Sequence, residues 1–289
     1  MADPRVAVYI DFDNIVISRY DQLFGREAWR KDNARDFTMG AKSPDAVGKR
    51  LDEARVEIGA IIDYATSFGT VSVIRAYADW SAPANASYKA QLVDHSVDLT
   101  QLFNVSGTKN GADIRLAVDV IDDLFRFESI SHVLVVAGDS DYIPLVTRCK
   151  RMGREVIGLG IDGSTSSAFK KACDRFTVYD DVPGIPKLKP AGRAAAKPPV
   201  ETSPQDASAD LTDASALLRR ALQLIDDKND EEWQTNGEVK TQMLRLDPSF
   251  KEKPLGFRSF SNFLEAQEAA GVIVIKPKSK ANDRRLKLP

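Results

Sequence analysis

The sequence predicts a doubly wound α/β sandwich on a parallel sheet, followed by a smaller α+β unit of winged-helix type. Three observations carry this. Short β-branched apolar runs alternate with longer stretches of helical periodicity as far as residue 182, the signature of βαβ units. A proline-rich segment interrupts the chain between Val182 and Leu211. Beyond it come three amphipathic stretches and two closing apolar runs, the pattern of a three-helix module with a terminal hairpin. With 289 residues and 43% hydrophobic content, the chain has material for one large or two ordinary domains at ~100–200 residues each.

The predicted strands are Val6–Ile10, Val71–Tyr77, Val133–Ala137, Val156–Leu159 and Phe176–Tyr179. Short runs rich in β-branched residues, alternating with helical patterns, mark strands of a parallel sheet. Helical periodicity marks 14–24, 47–67, 84–100, 111–126, 141–152 and 165–173. The polar stretch from Gly25 to Pro44 has no periodicity and reads as a mobile insertion. We place the first domain at 1–182, a flexible Pro/Ala-rich linker at 183–210 and the second domain at 211–289. The linker holds Pro183, Pro186, Pro190, Pro198, Pro199 and Pro204 with few large apolar side chains, too little to offset its ordering entropy.

Composition removes several classes of function. No apolar run approaches the ~20 residues that cross a bilayer, and the start Met-Ala-Asp-Pro-Arg lacks a basic-then-apolar leader pattern, so no membrane role and a cytoplasmic location are expected. Two cysteines, Cys149 and Cys173, and two histidines, His95 and His132, are too few for a disulfide framework or a zinc site. The formal charge of −2, from 40 basic and 42 acidic residues, lacks the global basicity of many nucleic-acid binders. A total can conceal opposed halves.

Ligands of open parallel sheets bind beyond the carboxyl ends of the strands, and here those ends are acidic. The first run closes in Asp11-Phe-Asp13-Asn14 and the third in Gly138-Asp139-Ser140-Asp141, while Asp113 lies at a helix start in Asn110-Gly-Ala-Asp113. Asp13, Asn14, Asp113, Ser140 and Asp141 have the residue types that cap helices. Capping does not account for Asp11 and Asp139, each the first polar residue after an apolar strand. Carboxylates drawn together repel unless a proton or cation sits between them, and an oxygen-only donor set suits Mg²⁺ or Mn²⁺. Such an ion on Asp11, Asp113 and Asp139 would serve phosphate chemistry, with the helix N-termini at Asn14 and Asp141 adding N–H donors toward the anion. Asp119, six residues after Asp113, is rotated by about 240° at ~3.6 residues per turn, so it belongs behind the site or on the surface. Asp122 and Asp123 read as a solvated face.

The set VAVYIDFDNI, KNGADIRLAVDV and VLVVAGDSDYIPLVTRCKRMGREVIGLG resembles the NYN domain, a PIN-like family of metal-dependent ribonucleases, over about residues 5–180. The resemblance implies a PIN-like doubly wound parallel sheet, a Rossmann-like three-layer sandwich. It also implies endonucleolytic RNA cleavage by water activated at Mg²⁺ or Mn²⁺, leaving 5′-phosphate and 3′-hydroxyl ends. Asp11, Asn14, Asp113, Asp139 and Asp141 are the implied catalytic residues. By the same resemblance Asp11, Asp113 and Asp139 would be metal ligands, Asp141 would complete the acidic cluster as a ligand directly or through water, and Asn14 would orient a carboxylate or the phosphate. Lys109 matches the family's phosphate contact, although Lys109-Asn110-Gly111 carries one residue more than the family's Lys-Gly. Ser140 stands beside the site as a further RNA contact.

Asp11-Phe-Asp13 followed by Gly-Asp-Ser also resembles the haloacid-dehalogenase-type phosphatases, with Asp11 as nucleophile and Asp13 as acid/base. That family has a further Asp about four or five residues after its Gly-Asp, where this chain has Ile143 and Pro144, and it assigns nothing to Asp113. A scaffold that binds RNA or protein without cutting is the other alternative; retention of four mutually repelling carboxylates disfavours it.

In the second domain, helices are expected at 216–225, 237–246 and 260–271 and strands at Val272–Ile275 and Arg284–Leu288. The segment from Asp247 to Glu265, with its Gly-Phe-Arg-Ser-Phe-Ser-Asn-Phe-Leu core, resembles the LOTUS domain, also called OST-HTH. That module occurs with NYN domains and is implicated in RNA binding, some examples binding proteins. Phe257, Phe260 and Phe263 fit a core better than a base-stacking surface. Lys276, Lys278, Lys280, Arg284, Arg285 and Lys287 face a single acidic residue, Asp283, in the closing segment. With Arg258 they are the candidate RNA contacts of this domain, able to neutralise phosphates without reading bases.

Overall fold

The computed structural model describes residues 3–38, 46–103, 111–186, 204–226, 233–276 and 284–289. Two compact units are present, Met1–Ala194 and Ala195–Pro289.

In the first unit, β1 (Arg5–Asp11) runs into α1 (Phe12–Phe24), followed by the single turn α2 (Ala28–Lys31). Next come α3 (Ala46–Glu53), α4 (Ile58–Thr66), β2 (Thr70–Ala78), α5 (Pro83–Ala86), α6 (Lys89–Asp94) and β3 (Asp98–Gln101). The second half comprises α7 (Gly111–Arg126), β4 (Ile130–Val136), α8 (Ile143–Arg151), β5 (Glu155–Gly160), α9 (Ser167–Ala172) and β6 (Arg175–Val178). The six strands form one parallel sheet in the order β3-β2-β1-β4-β5-β6, the predicted PIN-like α/β arrangement.

Alternation along β1 explains why both faces are covered. Val6, Val8 and Ile10 pack with α1, α4 and α6, whereas Ala7 and Tyr9 pack with α7, α8 and α9. Fully burying each such aliphatic side chain stabilises the fold by roughly 1.5–3 kcal/mol. Cys149 and Cys173 are free thiols in the second of these layers, and burial pushes each thiol up to about 12. Because the thiolate is the reactive form, native protein at pH 8 should resist DTNB and react at both cysteines only in denaturant. Rapid labelling of native protein would contradict this packing.

Three local expectations are corrected. The helix predicted over 47–67 is two helices, since Val56, Glu57 and Ile58 give their backbone N–H groups to Tyr88 Oη, Tyr179 Oη and Gln91 Oε1 instead of to a helical ladder. The helix predicted over 84–100 is α5, α6 and then the edge strand β3. Residues 98–101 are half-exposed and pair with Arg75–Ala78 on one side only, so they lack the apolar run of a central strand. Finally, the described part of the Gly25–Pro44 insertion is packed: Ala28 and Ala34 are buried beside Tyr20, Leu23 and Ala54. Asp21 accepts the Glu27 and Trp29 N–H groups there. Residues 39–44 of that insertion lie outside the described residues.

The second unit contains α10 (Pro204–Asp226), β7 (Gln234–Thr235), α11 (Asn236–Leu246), α12 (Phe260–Ala269), β8 (Val274–Ile275) and β9 (Arg285–Lys287). The helix α10 begins at Pro204, within the stretch read as linker. An antiparallel sheet of order β7-β9-β8 adds one strand to the predicted hairpin. Thr235 and Glu238 form a reciprocal capping box at the start of α11. Phe260 and Phe263 are buried, with Phe257 edge-on and Phe250 tilted against Phe263, so Phe257, Phe260 and Phe263 belong to the core. No helix among the described residues is long and apolar enough to cross a membrane.

Candidate active site at the carboxyl ends of β1 and β4

The order β3-β2-β1-β4-β5-β6 reverses direction between β1 and β4, where a crevice opens beyond the strand ends. Asp11 closes β1 there, and Asp139 stands just past the end of β4. Asp11 is 4% exposed. Its Oδ1 accepts the Asn14 N–H at 3.1 Å and its Oδ2 accepts the Tyr142 hydroxyl at 2.8 Å. Asp113, in the first turn of α7, also lies within hydrogen-bonding reach of Tyr142.

These placements set the electrostatics. Burial, above the opposing hydrogen bonds from Tyr142 and Asn14, pushes Asp11 up to about 7, and the charges of Asp113 and Asp13 act the same way. Asp113 is also raised, by burial first and then by Asp139 and Asp141. One phenolic O–H has a single proton to donate. It cannot satisfy two ionised carboxylates, so Asp11 and Asp113 together favour a further proton or a cation.

Asp139 and Asp141 are exposed at the mouth of this cluster. Asp139 Oδ1 accepts the Asp141 N–H at 3.2 Å and caps the short turn Ser140–Tyr142; the Ser140 hydroxyl donates to the same oxygen at 3.3 Å. Helix capping therefore falls to Asp11 and Asp139, contrary to the expectation that set these two apart from it. The N–H groups of Asn14 and Asp141, expected to face an anion, point at these carboxylates instead.

Two glycines let the strand ends close up. A Cβ on Gly138 would stand 3.2 Å from Asn14 Oδ1, and one on Gly160 only 2.3 Å from Thr165 Oγ1 and 2.7 Å from the Ala137 carbonyl. The loop carrying Thr165 thus passes directly over the end of β4, its neighbour Ser166 donating to the Gly138 carbonyl at 2.9 Å. Asn14 is wedged against the same glycine. Asp113 and Asn14 both sit by this strand end, but Lys109 lies outside the described residues.

Asp13 belongs to a separate network. Its carboxylate accepts Asn85 Nδ2 at 2.6 Å and the Asp79 N–H at 3.2 Å, while Asp79 is paired with Arg35. It ties α1 to the loop after β2. Asp123, read as solvated, is 1% exposed and accepts from Tyr9 Oη at 3.0 Å and Arg75 Nη2 at 2.9 Å. Asp119 accepts from Tyr77 Oη at 3.1 Å and pairs with Arg115. The correction has a simple cause: hydroxyls of sheet tyrosines reach this face of α7, and their positions depend on the register of β1 and β2. Asp122 is exposed and pairs with Arg126.

Tyr142 is the site residue that sequence reasoning missed. The available signal was its place three residues after Asp139, in the short turn Ser140–Tyr142 that brings its hydroxyl to Asp11.

In the second unit, Arg284 reaches Glu265 and the Ser261 carbonyl, a tie within the fold. Arg258 and Arg285 are exposed. Lys276 and Lys287 lie over the Trp233 ring; Lys278 and Lys280 fall outside the described residues.

The donor types at Asp11, Asp113, Asp139 and Asp141 are those a hard divalent cation takes. Among the described residues, however, no three His, Cys, Asp or Glu side chains are gathered into a ready coordination shell. Two family models match the chain and agree with its architecture. Residues 5–180 match the NYN domain and residues 209–280 match the OST-HTH/LOTUS domain. No curated protein matches the chain. Among solved structures it is similar to a protein of unknown function from Vibrio parahaemolyticus RIMD 2210633, at 18% identity over 62% of this chain and 94% of that one, with a TM-score of 0.42. OST-HTH/LOTUS domains are RNA-binding modules, and NYN domains are PIN-like nucleases. The six-stranded parallel sheet with acidic strand ends, matched over residues 5–180, places this chain in the NYN domain family.

Proposed function

We propose that the protein is a metal-dependent endoribonuclease that hydrolyses RNA phosphodiester bonds, with its C-terminal unit holding the RNA. The observation that carries this reading is the approach of Asp11 and Asp113 to one Tyr142 hydroxyl, with Asp139 and Asp141 raising the proton affinity of Asp113. That concentration of negative charge at a sheet switch point fits a cation and an anionic substrate better than a neutral one. Asp11, Asp113, Asp139 and Asp141 would hold Mg²⁺ or Mn²⁺, which when bound supplies a more acidic water and charge stabilisation for the leaving alkoxide.

The chain's own groups do the positioning. Tyr142 keeps the two inner carboxylates apart and oriented. The Asn14 N–H fixes Asp11, while its side chain beside Gly138 orients the phosphate. Asp139, capping its own turn, presents its free oxygen at the mouth. The scaffold that binds RNA or protein without cutting is the alternative, so the decisive experiment must separate cutting from binding. Purified protein with Mn²⁺ should cleave single-stranded RNA, EDTA should stop it, and Asp139→Asn should lower the rate by at least about two orders of magnitude. Asp139 is exposed, so this variant keeps its core. Equal cutting by wild type and variant would overturn the proposal.

A further inference from the structure

We propose that the outer face of the C-terminal sheet is a stacking platform for single-stranded RNA: Trp233 takes a base on its indole face, and Lys276, Lys287 and Arg285 take the neighbouring phosphates. The proposal rests on the RNA-holding role given above to this unit, and deepens it by naming the ligand form and the residue that engages it.

The argument begins with register. Gln234 of β7 pairs with Leu286 of β9, and both are buried. Side chains alternate along a strand, so the next residue in each direction, Trp233 and Lys287, turns away from the core. Arg285 and Thr235 pair on that same outer face. From the other side, the Lys276 N–H donates to the Arg285 carbonyl at 2.8 Å, extending the ladder. The result is an indole with two ammonium groups over it, Lys287 Nζ at 4.8 Å and Lys276 Nζ at 5.6 Å from the ring centroid.

The same unit buries its phenylalanines. Phe250, Phe260 and Phe263 fill the core, whereas the larger Trp233 is left half-exposed on a sheet face. An aromatic ring on an open sheet, bracketed by flexible cations, is the chemistry of binders that stack a base and track a backbone without reading sequence. On binding, a base displaces the ammonium groups from the ring, and they remain within reach of the phosphates on either side. Glu238 is the acidic neighbour of Arg285, and it partly offsets that residue's pull on phosphate. Arg284 takes no part, since it is committed to Glu265. A paired duplex keeps its bases stacked on one another and cannot offer one to the indole.

The test uses the full chain in EDTA, so that no RNA is cut during titration. Three probes are compared: oligouridylate, an abasic ribose-phosphate oligomer of equal length, and the oligouridylate annealed to its complement. Wild type should bind oligouridylate about tenfold more tightly than the abasic oligomer and more tightly than the duplex, with quenching of tryptophan fluorescence. Trp233→Ala should erase the tenfold preference and the quench, so that oligouridylate and the abasic oligomer bind alike. Trp233→Phe should retain most of the preference, and comparison with it separates the signal of Trp233 from those of Trp29 and Trp80. Equal affinity for base-bearing and abasic oligomers, full affinity in Trp233→Ala, or binding of a protein partner without RNA would each overturn the platform. Base-dependent binding by a chain that never cuts leaves the platform standing and removes only the nuclease reading; cutting without base dependence does the reverse.

Discussion

Asp11→Asn should remove nearly all RNA cleavage and, at the same time, make the metal-free protein more stable. The first effect follows from losing a charged donor at the centre of the acidic cluster, and a loss of about 10²-fold or more is expected in Mn²⁺. The second follows from burial. Asp11 is pushed up to about 7, above the ordinary carboxylate value. Between about pH 4 and pH 7 the folded chain therefore holds a proton that the unfolded chain releases. The stability associated with this group is full below about pH 4 and is lost as pH rises through 7. Asparagine has no charge to desolvate. Its Oδ1 can still accept the Asn14 N–H, and its amide can donate to the Tyr142 oxygen, freeing the phenolic proton for Asp113. Thermal melts in EDTA should show the variant roughly 5 °C or more above wild type at pH 8, at 2–4 °C per kcal/mol for a unit of this size. The gap should close toward pH 4, and Mn²⁺ at pH 8 should narrow it by stabilising wild type alone. A variant that melts lower than wild type at pH 8 would show that the Asp11 charge is already compensated in the folded protein.

Phe263→Ala should unfold the C-terminal unit while leaving the first unit intact. The Phe263 ring is 0% exposed and touches Phe250, Phe257 and Phe260 at centroid distances of 5.5, 5.4 and 5.8 Å. Removing a buried phenylalanine costs about 3–5 kcal/mol in lost transfer and cavity formation. A unit of this size has about 5 kcal/mol to lose. The described members of this cluster all belong to the C-terminal unit. Calorimetry should therefore show loss of one transition and retention of the other. RNA affinity should fall, while cleavage at saturating RNA and Mn²⁺ persists. Loss of both transitions would show that the two units fold as one.

Much of the first unit was legible because β1, β4 and β5 are central and buried on both faces. Five apolar runs with turn residues after them predict five strands, and each is found. The sixth, β3, escaped because an edge strand that is half-exposed has no apolar run. The helix break at residues 54–57 escaped for a related reason. The N–H groups of Val56, Glu57 and Ile58 are taken by Tyr88, Tyr179 and Gln91, all distant in sequence, and periodicity within 47–67 contains no trace of them. Asp123 is the sharpest case. A carboxylate next to another on a helix reads as solvated until the sheet places the Tyr9 hydroxyl and the Arg75 guanidinium against it.

The candidate site divides along the same line. Asp11 and Asp139 announce themselves as the first polar residues after apolar strands, and the spacing of Asp113 within its helix start is equally local. Covalent order and periodicity suffice for those inferences, because strand length and helix phase are set by neighbouring residues. The sharing of one Tyr142 proton between Asp11 and Asp113, 131 residues separating Tyr142 from Asp11, is different. So are the wedge of Asn14 against Gly138 and the placing of Trp233 opposite Lys287. Each depends on which chain segments packing brings within about 3–6 Å, the range over which hydrogen bonds and ring contacts act. Chemistry of that range is decided by the sheet order and strand register, and so by the tertiary structure alone.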